Sequence, residues 1–204
     1  MLNTRLNILV ALPCEAKPIN QLLSLKRLQP DGDLPLYVGQ DATLVLAGHG
    51  IEATATGVRV LHQRNSNKDA CWLNIGIAGH AKLPVGRGMI ASQVLGPGDG
   101  QSWNMIVPEH LNCPAGIVQT VLQPASDYPN QAAYEMEAAG FVAAALEFSP
   151  IAKIHVLKLI SDNPDNPNRG ISAKMVRTLI QAQSGLIRQL INRILREDVE
   201  PPSS

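Results

Sequence analysis

The sequence predicts an α/β fold: a three-layer α/β/α domain around a central mixed, mostly parallel sheet. Three observations carry that expectation. Short apolar runs alternate with segments of helical spacing along the whole chain, the order that βαβ units produce. Several runs, above all Leu6-Asn7-Ile8-Leu9-Val10-Ala11-Leu12, are apolar almost without alternation, as strands covered on both faces are. With 45% hydrophobic and 17% charged residues in 204, the chain can bury a substantial core, so residues 1–204 read as one domain.

The elements follow in order. Residues 6–12 form the first strand. A leader segment is the other reading of this stretch, after Arg5, but the run is short, contains Asn7, and is followed by Pro13 and Glu15, which fits a buried strand better. A helix over about 15–26 comes next. Residues 34–39 and 42–47 make a hairpin around Gln40-Asp41. Helical spacing returns over 51–63 and closes at Asn65-Ser66-Asn67. Residues 72–77 are a second buried strand, ending in Gly76-Ile77-Ala78-Gly79. Strands at 89–95 and 116–122 precede an Ala-rich helix at 135–148. The last strand is 154–160, followed by a polar loop over 161–169. One long amphipathic helix carries Met175, Leu179, Ala182, Leu186, Leu190 and Ile194 on its apolar face. A frayed tail begins at about 198.

Charge and cysteine usage narrow the function classes. Lys+Arg and Asp+Glu both number 17, so the formal net charge is zero. Nucleic-acid binders need clustered excess basic residues, so no nucleic-acid partner is expected. Lys174, Arg177, Arg188, Arg193 and Arg196 read as the solvated face of the last helix. No apolar run reaches the roughly 18 residues that a membrane span needs. Cys14, Cys71 and Cys113 are odd in number, widely spaced and without metal-ligand spacing to the five histidines, so reduced thiols in a cytoplasmic protein are expected, with no metal and no cofactor.

In open α/β sheets ligands bind beyond the carboxyl ends of the strands. Glu15 follows the first strand, Gly48-His49-Gly50 the hairpin, Ala78-Gly79-His80 the second buried strand, and Ser161-Asp162 the last. Glu135 and Glu137 stand at the start of the Ala-rich helix. Each has a plain structural reading. First-turn carboxylates favour the helix dipole, Asp162 opens a turn-rich run, and a Gly-His-Gly segment lacks the third glycine of a dinucleotide loop.

Taken together, four segments resemble the purine nucleoside phosphorylase / uridine phosphorylase superfamily, nearest its methylthioadenosine/S-adenosylhomocysteine nucleosidase branch. They are Ile8-Leu9-Val10-Ala11-Leu12-Pro13-Cys14-Glu15, Asn74-Ile75-Gly76-Ile77-Ala78-Gly79, Glu135-Met136-Glu137-Ala138-Ala139, and Ile160-Ser161-Asp162 with Asp165 after it. The resemblance implies a nucleosidase that cleaves the N-glycosidic bond of a purine nucleoside or 5′-thio-nucleoside. Glu15 would bind the attacking water and Asp162 would protonate N7 of the base. Glu137 would hold the sugar hydroxyls with Met136 packed on the sugar, and Glu135, Ala78 and Gly79 would complete the substrate site. It also implies a homodimer or higher oligomer.

Such residue types suit the chemistry. Cleavage develops positive charge on the ribose and negative charge on the base, which a carboxylate and a proton donor respectively offset. In this chain Ile77 stands where the nucleosidases usually carry Ser, and Pro13-Cys14-Glu15-Ala16-Lys17 replaces the Gly-Asp-Pro-x-Arg phosphate segment of many phosphorylases. Arg87, before a strand, reads as lying at the opposite end of the sheet. Hydrolysis is therefore favoured over phosphorolysis. The alternatives are a phosphate-dependent phosphorylase and a nucleoside-binding protein of the same fold without turnover. Trp103, Tyr128 and Tyr134 are the candidates for the aromatic that stacks on the base.

Overall fold

A computed structural model describes residues 2–28, 34–98, 100–125, 127–167 and 171–197. Its elements are β1 (Leu6–Val10), α1 (Pro13–Leu22), β2 (Lys26–Arg27), β3 (Leu36–Val38), β4 (Ala42–Leu46), α2 (Ile51–Arg64) and β5 (Cys71–His80). There follow β6 (Gly88–Leu95), β7 (Ser102–Asn104), β8 (Ala115–Thr120), β9 (Ala132–Glu135), α3 (Ala138–Ala145), β10 (Ile154–Asp162), α4 (Ala173–Ala182) and α5 (Ser184–Glu197).

The expected mixed sheet with helices on both faces is present. β1, β4, β5 and β10 run parallel, in the order β10-β5-β1-β4, and β3 and β2 extend the β4 edge antiparallel. Beyond β5 the sheet curls back on itself. β9 pairs antiparallel with β5, β8 parallel with β9, β6 parallel with β8, and β10 antiparallel with β6, closing a ring through the β10–β5 pair.

The unbroken apolar runs have the predicted cause. Along β1, Leu6, Ile8 and Val10 pack with α1, α4 and α5 residues such as Ile19, Ile180 and Leu190. Leu9 packs on the other face with Val58 and Leu61 of α2 and Phe141 and Val142 of α3. A strand of period two between two helical layers must be apolar at every position. The same alternation places Val156, Ile160 and Trp72 toward α2 and α3, and Leu157, Leu159, Leu73 and Ile75 toward α1, α4 and α5.

Several boundaries differ from the sequence reading. α1 starts at Pro13, whose missing N–H costs nothing at a first helical position, and ends at Leu22. β5 runs on to His80 and β10 to Asp162, so Ala78, Gly79 and Asp162 lie inside strands rather than in the loops after them. Glu135, read as the first residue of the Ala-rich helix, instead ends β9, and α3 begins only at Ala138. The long terminal helix is two helices, with Gln183 as the C-cap of α4 and Ser184-Gly185 opening α5; Ser and Gly are poor helix-interior residues. Because β6 is antiparallel to β10, Arg87 sits beside the carboxyl half of β10, where its carbonyl accepts from the Ile160 N–H at 2.9 Å. This corrects the expectation that it lies at the opposite end; its side chain is exposed. The tail expected to fray from 198 lies outside the described residues. Among those residues no helix is long and apolar enough to cross a membrane, and no group of three His, Cys, Asp or Glu is placed to hold a metal.

Candidate active site

The register of β5 against its neighbours builds the site. Lys158 of β10 lies opposite Gly76, and Asp162 lies opposite Gly79 after a bulge. Gly79 in turn faces Tyr134 of β9, and Thr120 of β8 faces Glu135. Two stations result, roughly 7–10 Å apart along β5 at about 3.3 Å per residue: one at Gly76-Ile77, the other at Gly79.

Three carboxylates and a lysine meet at the first station. Glu15, in the first turn of α1, is 2% exposed. Its Oε2 accepts from the N–H groups of Ala11 and Leu12 at 3.0 and 2.9 Å, and its Oε1 from Ile77 at 3.3 Å. These bonds explain why a carboxylate is tolerated under the sheet end. Burial nevertheless raises its pKa to about 7, with backbone donors and Lys158 opposing the rise. Lys158 is fully buried, and its Nζ is 2.7 Å from Glu135 Oε2. Burial alone would lower the lysine pKa, but Glu135 and Glu137, with Glu15 behind them, hold it above the usual value. A methyl group placed at Gly76 would sit 3.3 Å from both Glu15 Oε1 and Lys158 Nζ. Glycine there leaves a gap between a carboxylate and an ammonium.

Glu135 is held from all sides. Its carboxylate accepts from the backbone of Glu137 at 2.9 Å and of Ala138 at 2.9 and 3.0 Å, and from the Thr120 hydroxyl at 2.6 Å. The Thr120 oxygen in turn accepts from Ala139 N–H. The charge thus caps the N-terminus of α3 while pairing with Lys158. Glu137 is more open. Its Oε1 accepts from Gly50 N–H at 3.1 Å and its Oε2 from Met136 N–H at 3.3 Å. Its pKa is raised by burial and by Glu135, against the pull of Lys158. The bond to Gly50 depends on close approach of α2 and α3. Gly50 has φ 95°, and a Cβ on Gly140 would collide with the Ile51 backbone. Met136 is half-buried beside these groups.

At the second station Asp162 is 4% exposed. Its Oδ1 accepts from the Ser161 hydroxyl at 2.5 Å, and its Oδ2 from the phenol of Tyr128. Ser161 Oγ is also 3.3 Å from the Ala78 carbonyl oxygen. A Cβ at Gly79 would run into the Tyr128 ring. Tyr134 lies behind, its ring centroid 5.5 Å from that of Tyr128, its hydroxyl accepting from Asn130 N–H. Trp103, the third aromatic candidate, packs on the core from β7, opposite Val94.

The structure therefore gathers Glu15, Glu135 and Glu137 around Lys158, and Asp162 with Gly79 next to them. Lys158 is the residue that sequence reasoning missed. Its signal was a lysine in the middle of the mostly apolar Ile154-His155-Val156-Leu157-Lys158-Leu159-Ile160, a strand buried on both faces.

No family model matches the sequence, and no curated protein matches it. Solved structures do. The fold is shared with nucleosidases of known structure. A Helicobacter pylori MTAN mutant with 5′-methylthioadenosine in the active site superposes with TM-score 0.74 at 14% identity, covering 94% of this chain and 99% of that one. A 5′-methylthioadenosine/S-adenosylhomocysteine nucleosidase from Colwellia psychrerythraea in complex with adenine gives 0.70 at 18% identity, covering 96% of each chain. A futalosine hydrolase mutant of Helicobacter pylori gives 0.69 at 14% identity, covering 93% and 99%.

Proposed function

We propose that the protein is a nucleosidase, hydrolysing the N-glycosidic bond of a purine nucleoside or its 5′-thio derivative. One observation carries the reading: a buried carboxylate and a buried ammonium converge on a side-chain-free glycine, with a second carboxylate beside them and an aspartate further along the same strand. Water in the Gly76 gap would give its proton to Glu15 as its oxygen bonds to C1′. The C1′–N9 bond breaks, and Asp162 gives its proton to N7 of the departing base. Glu137, held open by Gly50 and Met136, would grip the ribose hydroxyls more tightly as the sugar becomes cationic. Glu135 would act through Lys158 as a positioning residue. Assembly as two or more copies and a cytoplasmic site of action belong to the same reading.

Electrostatics favours water over phosphate as the nucleophile. The Lys158 charge is shared among Glu135, Glu137 and Glu15, so an entering phosphate would face excess negative charge at short range. The direct test is base release from adenosine, inosine, methylthioadenosine, S-adenosylhomocysteine and futalosine, each with and without phosphate. Release without phosphate is expected. Release only with phosphate would make the protein a phosphorylase, and binding without release a nucleoside-binding protein.

Asp162→Asn should lower kcat on adenosine by about 10²–10⁴-fold, the usual contribution of a positioned general acid. The loss should shrink toward zero on p-nitrophenyl riboside, whose leaving group needs no proton. An equal loss on both substrates would assign Asp162 to binding instead. Glu137→Gln should raise KM for ribonucleosides by about 10–100-fold, the worth of hydrogen bonds to a charged partner, and should level the preference for adenosine over its 2′,3′-dideoxy analogue. A preference left intact would remove Glu137 from the sugar.

A further inference from the structure

Tyr128 stands in a position that a nucleosidase site does not require. It belongs to the stretch 121–130, which is anchored at one end by the Val121 N–H on the Glu135 carbonyl at 2.7 Å and at the other by the Asn130 N–H on the Tyr134 hydroxyl at 3.2 Å. Between those anchors most of the described residues are exposed, Leu122 at 66%, yet Tyr128 turns inward. Its ring fills the space that a side chain on Gly79 would take, its edge meets Tyr134, and its hydroxyl donates to Asp162 Oδ2. A planar ring over a glycine, flanked by a second aromatic and with its polar atom on the buried aspartate, has the shape of a bound base and takes up the carboxyl group that a base would meet.

We propose that Tyr128 is a built-in occupant of the base subsite, which a purine must displace in order to reach Asp162. The inference rests on the nucleosidase reading, since it takes Asp162 as the group that meets N7. Displacement gives up the Tyr128 contacts with Gly79, Tyr134 and Asp162, while its chain neighbours Asp127 and Pro129 are exposed, and segments of that kind open at low cost. The vacated ring position leaves Tyr134 as the aromatic wall for the base. Affinity for the base is then reduced by the fraction of molecules in which Tyr128 is out, so the residue sets a threshold. Ligands that hydrogen-bond Asp162 through a ring nitrogen compete with the phenol. Bases without such an acceptor must displace the ring with no hydrogen bond to Asp162 in return.

The test is calorimetric binding of adenine and 7-deazaadenine to the full-length wild type, Tyr128→Phe and Tyr128→Ala, each verified as folded by circular dichroism. Loss of the phenol–aspartate bond in Tyr128→Phe should tighten adenine binding by at least about fivefold. Tyr128→Ala should bind adenine more tightly than the wild type as well. 7-Deazaadenine, which lacks the N7 acceptor, should bind each form more weakly than adenine does. Tetranitromethane modification, read by peptide mass, should rise at Tyr128 when adenine is added. Unchanged or weaker adenine binding by Tyr128→Phe, or protection of Tyr128 by adenine, would make the residue an ordinary wall of the pocket and overturn the proposal while leaving the nucleosidase reading in place. If none of the folded forms binds either base, the base subsite itself is wrong and both readings fall.

Discussion

Lys158→Met is expected to destabilise the fold by about 3–5 kcal/mol at pH 8, the usual result of removing one partner of a buried ion pair. The side chain is fully buried, directly opposite Gly76 in the register, and 2.7 Å from a Glu135 carboxylate that is itself 1% exposed. Methionine fills the volume of the lysine stem, so lost packing is a small part of the effect. What remains is three carboxylates under one sheet end with no cation between them. Glu15 and Glu137 are already raised by burial, and Lys158 is among the influences that hold them down. Without it they rise further. A carboxylate whose folded pKa exceeds its unfolded value costs stability in full above the folded pKa, and the cost shrinks as pH falls from there and vanishes below the unfolded value. The deficit of Lys158→Met in urea unfolding should therefore be largest at pH 8 and shrink toward pH 5. Adding Glu135→Gln should recover part of it, since Gln can still accept from the N-terminus of α3 and from Thr120 without carrying charge. Equal stability of wild type and Lys158→Met at pH 8 would refute the buried pair.

Glu15→Gln is the second large effect, and it acts in opposite directions on activity and stability. If Glu15 takes the proton of the attacking water, only its ionised form works. With a pKa of about 7, wild-type kcat/KM should rise with pH through a midpoint near neutrality. Glu15→Gln should lower kcat by at least about 10²-fold and abolish that limb of the profile. The stability consequence has the reverse sign. Glu15 binds its proton more tightly folded than unfolded, so its contribution is fully retained below the unfolded value of 4.5 and is lost as pH rises toward about 7. At about 1.36 kcal/mol per pH unit the loss reaches roughly 3 kcal/mol by pH 8. The Gln variant carries no charge to bury, and its amide oxygen can still accept from Ala11 and Leu12. It should unfold at higher urea than wild type at pH 8, with the two curves converging at pH 4–5. A midpoint unmoved by the substitution, or a variant less stable at pH 8, would separate Glu15 from this role. Such opposition is the general mark of groups kept for function against stability.

Much of this was legible in one dimension because its physics is local or periodic. A strand between two helical layers has to be apolar throughout, so β1, β5 and β10 announce themselves. Carboxylates after such runs mark the sheet end where ligands bind, and the short motifs around Glu15, Glu137 and Asp162 distinguish those acids from ordinary surface charges. β9 was not legible. Ala132-Ala133-Tyr134 carry no strand pattern of their own and Glu135 reads as the start of the Ala-rich helix, until β5 and β8 supply the hydrogen bonds. The break between α4 and α5 has a local signal in Ser184-Gly185, but the apolar periodicity that runs through it to Ile194 outweighs that signal in one dimension. Residue type determined which side chains can donate or accept a proton. Tertiary structure alone decided which of them share a dielectric and a charge. It set Lys158 opposite a glycine, bound Glu135 to the N-terminus of α3 and Glu137 to the Gly50 N–H before α2, and laid Tyr128, rather than Trp103 or Tyr134, across Asp162. Pairing register and burial are properties of strands distant in sequence, and no local pattern encodes them.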